Sequence, residues 1–217
     1  MHLDRRTPPP ASAARHTTLA ATALAALTVA AIAAGALVAG PVPAAAAVAT
    51  PGPRPAATAA QRLSALGDLI TERLRLAGPV AEYKWLHGSP IADPAREQAV
   101  IDEVTAAAQR KGIDPTQVAA VIRSQIAASK LVQRGLFTRW THDPWDAPTT
   151  APDIATLRQQ ITDIDDAMVD AIGTTVDVSV DPGCAHDVVS ERQRSERRLD
   201  ALSRKGLHLA WSGFCRT

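Results

Sequence analysis

Two Asp-Pro pairs, Asp93-Pro94 and Asp114-Pro115, each stand directly ahead of apolar residues at helical spacing. An aspartate at such a junction accepts hydrogen bonds from first-turn amides, and the proline fills a position whose N–H would have no helical partner. Each pair therefore starts a helix, and the chain between them must be helical as well. Val100, Val104 and Ala108 form the apolar stripe of the first of these helices, and Gly112 ends it. The second carries Val118, Val121, Ile122, Ile126, Val132, Leu136 and Trp140.

The same reading extends in both directions. Leu63, Leu66, Ile70 and Leu74 recur at helical steps, and Val80, Tyr83 and Trp85 continue past Pro79, which predicts one long helix over 60 to 87 with a kink at Gly78-Pro79. Prolines at 144, 148 and 152 mark an extended connection. Asp153 then caps a helix whose Ile154, Leu157, Ile161, Ile164, Met168 and Ile172 share one face. A last, arginine-rich helix is expected over about 186 to 212, with Leu199, Leu202 and Leu209 inward. Residues 174 to 182 alternate like a strand, but a single strand has no pairing partner, so they are read as a loop. The expectation is an all-α, single-domain bundle of about five helices with a long kinked first helix. Aromatics make up 3% of the chain and alanine dominates, so Ala, Leu, Ile and Val should build the core.

The N-terminus follows a different pattern. Residues 1 to 16 are short and basic, 17 to 40 are apolar without a charge, and small residues follow at 44 to 49. This is the order of a secretory signal, with cleavage near Ala46 to Ala49. The run is also long enough to span a bilayer, which leaves an uncleaved anchor as the alternative. The expected organisation is a signal peptide over 1–49, a Pro-, Ala- and Thr-rich lead-in over 50–60, and the helical domain over 61–217, secreted or periplasmic and free of the membrane after cleavage. Cys184 and Cys215, both beyond the leader, form an even pair that reads as one disulfide in an exported protein; two free thiols would fit a cytosolic one.

The formal net charge is +1; Arg5, Arg6 and Arg15 against Asp4 give the leader +2, and the remaining residues hold 20 basic and 21 acidic side chains. A near-neutral body argues against nucleic acid as the partner. The chain holds no G-x-S-x-G, H-E-x-x-H, C-x-x-C or glycine-rich phosphate loop, and His87, His142, His186 and His208 lack ligand spacing, so a metal site is not expected. What remains are cations on apolar helices. Arg73 and Lys84 stand about three turns apart, which in a continuous helix returns them to one face. Each could equally belong to a solvated face, although Tyr83 and Trp85 flank Lys84. Ser129 and Gln133, one turn apart, place two uncharged hydrogen-bonding groups beside Ile126 and Val132.

Arg73-Leu74, PVAEYKW (79 to 85), PIADPARE (90 to 97), GIDP (112 to 115), QIAASKLVQ (125 to 133) and Arg158, in that order, resemble the secreted γ-type helical chorismate mutases. The likeness covers about 62 to 215, the late cysteine pair included. It implies a cofactor-free rearrangement of chorismate to prephenate, as in aromatic amino acid biosynthesis. Arg73 and Arg158 would hold the substrate carboxylates, and Lys84 would reach a carboxylate and the breaking ether oxygen. Arg96 would support the site, and Asp93 and Glu97 would stand near the ring hydroxyl, although Glu97 also fits a first-turn acid stabilised by the helix dipole. Ser129 matches a hydroxyl ligand and Gln133 the ether-oxygen donor. In this type one chain supplies its whole site; members are often dimers, so a homodimer stays open. Two rivals remain: an isochorismate pyruvate-lyase of the same fold, and a secreted binding protein that kept the bundle and lost activity.

Overall fold

Thr58 opens the first helix through a reciprocal cap: its hydroxyl accepts from the Gln61 amide at 3.2 Å, and the Gln61 side chain accepts from the Thr58 amide at 2.8 Å. The computed structural model describes residues 56–216; the expected signal segment, its cleavage region and the start of the lead-in lie outside them. The helices are α1 (Ala59–Arg75), α2 (Ala77–Leu86), α3 (Pro94–Arg110), α4 (Pro115–His142), α5 (Ile154–Thr174), α6 (Val176–Ser179), α7 (Cys184–Glu196) and α8 (Ala201–Ala210), with a 3-10 turn at Pro144–Asp146. No strand occurs among the described residues, and no described helix is long and apolar enough to cross a membrane.

The proposed caps act as expected. Asp93, Asp114 and Asp153 accept from the amides of Arg96, Thr116 and Thr156 respectively, and Gly112 leaves α3 with φ +68°, a conformation that side chains disfavour. Three junctions differ from the sequence reading. The long first helix is interrupted at Leu76 rather than at Gly78-Pro79, because Pro79 has no N–H for the carbonyl of Arg75 one turn earlier. The segment read as a loop contains one helical turn, α6. The last helix is two: Asp200 accepts from the Leu202 and Ser203 amides at 2.8 and 2.9 Å, capping α8 as a separate helix.

Leu66 and Ile70 of α1, Val104 of α3, Ile122 of α4 and Met168 of α5 share one aliphatic core. Few aromatic rings take part in it. Trp211 and Phe214 meet edge-on at 5.4 Å, buried beyond the end of α8, while Trp85 packs against Phe137 and Trp140 where α2 crosses α4. The Cys184–Cys215 disulfide is formed and ties the start of α7 to the chain after α8.

Candidate active site

The interruption at Leu76 alters how Arg73 and Lys84 come together, but not the result. Leu76 keeps a right-handed helical backbone, and the Val80 amide bonds its carbonyl at 3.1 Å, so α2 continues nearly in phase with α1. Arg73 and Lys84 therefore line one cavity of about 150 Å³. Asp93, Arg96 and Glu97 enter it from the start of α3, Ser129 and Gln133 from α4, and Arg158 from α5. All eight binding and catalytic candidates meet there, and one chain supplies them all.

Two charged residues not singled out in the sequence join them. Lys130 lines the cavity and bonds Glu97 through Nζ and Oε2 at 2.6 Å. Asp165 stands behind Arg73, which donates to it through Nε at 2.5 Å and Nη2 at 3.2 Å. Lys130 stands three residues before Gln133, so its place on that side of α4 was legible. Asp165 is two turns beyond Arg158 on α5, which puts the two on one helix face.

Glu97 is indeed a first-turn acid, accepting from the Asp93 amide at 3.3 Å, while Asp93 accepts from the Arg96 amide at 3.1 Å. This reciprocal cap fixes both carboxylates at the cavity rim. Lys84 donates to the Ile91 carbonyl at 2.6 Å. Burial lowers the pKa of its ammonium from the ordinary lysine value; Asp93 and Glu97 raise it, and Lys130 and Arg158 lower it further. Gln133 donates to Ser129 Oγ at 2.9 Å, and its Oε1 is buried with no partner among the described residues. Arg96 and Arg158 form no ion pair among those residues.

The charges can be counted across the site. Arg73, Lys84, Arg96, Lys130 and Arg158 face Asp93 and Glu97, with Asp165 behind, so two positive charges are in excess. Val80, Ile91, Val100, Ile126, Ile154 and Ile161 supply the apolar remainder of the lining. Such a site suits a compact dianion with an apolar body.

The secreted chorismate mutase of Mycolicibacterium smegmatis is 39% identical over 159 residues, spanning 72% of this chain and 88% of that protein. This chain belongs to the chorismate mutase family. Residues 64–134 match the family Chorismate mutase type II. The secreted chorismate mutase of Mycobacterium tuberculosis is 30% identical over 156 residues, 71% of this chain and 78% of that one. The crystal structure of chorismate mutase from Burkholderia thailandensis superposes with a TM-score of 0.68 at 32% identity, covering 71% of this chain and 99% of that chain. The family's helical architecture is thus present in the observed bundle, and the cavity described above lies within it.

Proposed function

We propose that this chain is an exported chorismate mutase whose candidate cavity folds chorismate into its reactive shape and rearranges it to prephenate. The observation that carries the reading is the convergence of Arg73, Lys84, Arg96, Ser129, Gln133 and Arg158 on one cavity with two positive charges in excess. Arg73 and Arg158 would hold the two carboxylates, so that the enolpyruvyl side chain lies over the ring. Negative charge grows on the ether oxygen as its bond to the ring breaks. Lys84 and an amide hydrogen of Gln133 would be donors already in place for that charge, which is electrostatic stabilisation by a preorganised site. Asp93 and Glu97 would stand at the ring hydroxyl. One bond breaks and one forms within a single molecule, so the chemistry calls for no external electron or group. The cavity is complete in one chain, so a homodimer would not be required for activity. Export follows from the basic, apolar and small-residue order of residues 1–49 and accords with the relatives described as secreted.

The test is loss of chorismate absorbance with residues 50–217, with prephenate identified as product. Pyruvate and salicylate from isochorismate would favour the lyase instead, and an inert fragment would favour a binding protein. Lys84→Ala and Arg158→Ala should each lower kcat/KM at least about a hundredfold, the usual cost of losing a preorganised donor. Near-normal activity in either variant would remove that residue from the site.

A further inference from the structure

We infer that Asp165 is a positioning residue for this reaction, one that fixes which edge of the Arg73 guanidinium is offered to the substrate. The inference rests on the chorismate mutase reading above. The Arg73 side chain is 6% exposed and that of Asp165 4%, so the pair is held inside the bundle rather than at its surface. Asp165 takes Nε at 2.5 Å and Nη2 at 3.2 Å, both on the same edge of the guanidinium plane. Of the five N–H donors of an arginine, about three are then left, one on Nη2 and two on Nη1, along the other two edges of the group. Asp165 does not itself line the cavity, whereas Arg73 does.

The neighbouring acids show that this placement is particular to one residue. Asp163 and Asp166 flank Asp165 and are exposed; Asp163 bonds Gln159, and neither reaches Arg73. Asp165 is also two turns along α5 from Arg158. One helix thus presents one carboxylate clamp directly and holds the other, on α1, through an ion pair. The separation of the two clamps is set by how α5 sits on α1, and Asp165 is the polar contact that fixes it. Ionic pairing at this depth costs desolvation and is weak support for stability by itself. Its use is better explained by the ligand that Arg73 has to meet.

Asp165→Asn keeps the volume but places an amide where one of the two acceptors was, so the guanidinium must turn. Asp165→Glu keeps the charge and moves the acceptors forward by one methylene. Displacements of this size near reacting groups cost up to about a hundredfold. Expected is a fall in kcat/KM of about thirtyfold to a hundredfold for Asp165→Asn and at least about tenfold for Asp165→Glu. Both should show a raised KM with a lowered kcat, and equally weakened inhibition by a bicyclic dianion shaped like the folded transition state. In an Arg73→Lys background, Asp165→Asn should cost less than about threefold more, because it acts through the arginine. A purely structural aspartate would leave kcat and KM of the folded enzyme unchanged and add its effect independently of Arg73→Lys; either result overturns the inference. If Asp165→Asn fails to fold, Asp165→Glu, which keeps the ion pair, decides by the same kinetic readout. A wild-type chain inert toward chorismate overturns the parent reading together with this one. An active wild type matched by its Asp165 variants overturns this one alone.

Discussion

Lys84 carries the clearest pH consequence of any single residue. Burial lowers its pKa, so the free enzyme loses this cation before an ordinary lysine would as pH rises. A bound dianion beside it favours the charged form and moves the loss upward. The alkaline limb of kcat/KM, which reports the free enzyme, should therefore lie below the usual lysine range and below the alkaline limb of kcat. Coincident limbs at the ordinary lysine value would detach Lys84 from the chemistry. Gln133 makes a complementary case, because an amide donates at any ordinary pH and a carboxyl donates only when protonated. Wild type should show no loss attributable to this position between about pH 5 and 8, whereas Gln133→Glu should work in acid and fail as pH rises past a carboxyl with a reference pKa of about 4.3, shifted by burial and by Lys84. A variant with the wild-type pH profile would rule out the donor role. Arg73 with Lys84 and Ser129 with Gln133 were legible from helical spacing, whereas Asp93, Arg96, Glu97 and Arg158 came with the family resemblance. Asp165 is an acid on the apolar face of α5: it stands four residues after Ile161 and three before Met168, a spacing that separates it from Asp163 and Asp166.

Among the elements, helix starts were easier to read than helix interruptions. Asp-Pro at 93–94 and 114–115 combines an acceptor with a residue lacking an amide hydrogen, and each marks its junction to the residue. The effect of Pro79 appears one turn upstream, at Leu76, because the missing donor is felt by the carbonyl it would have met. The split between α7 and α8 carried a signal in Asp200, but the arginines and leucines around it continue the helical pattern and mask it. Least legible was a polar stripe on α4. Gln125 donates to the Ala210 carbonyl at 2.7 Å, Gln117 to the Phe214 carbonyl at 2.6 Å, and Ser124 meets Ser212 at 3.1 Å. The two glutamines satisfy carbonyls at the end of α8 and just beyond it that have no helical partner. Gln125→Leu keeps the bulk and leaves the Ala210 carbonyl buried without a donor, so it should cost about 1–3 kcal/mol in chemical denaturation. Because Gln125 lies outside the cavity, kcat should be unchanged; an unaltered denaturation midpoint would show that the bond contributes nothing.

Across the whole molecule, the residues lining the cavity come from α1 to α5 and the connection between α2 and α3, while α6, α7 and α8 contribute none. The C-terminal helices act as a brace on that frame. Arg194 of α7 binds Glu191 and reaches Asp68 of α1 at 2.7 Å, and Arg216 donates its amide to the Ser179 carbonyl at 2.8 Å and pairs with Asp114 at 3.0 Å. The Cys184–Cys215 bond, spanning 31 residues, closes α7 and α8 into one loop. Cross-linking a loop of this size removes conformations from the unfolded chain worth about 3–4 kcal/mol on the chain-entropy model. Stability and catalysis should therefore separate. Reduction, or Cys184→Ser with Cys215→Ser, is expected to lower the unfolding free energy by about that amount and to leave kcat and KM within about twofold at temperatures where the reduced protein remains folded. Denaturation with and without reductant gives the first quantity, and chorismate turnover on the same samples gives the second. A reduced enzyme that stays folded but loses turnover would show that the brace shapes the cavity as well as supporting it.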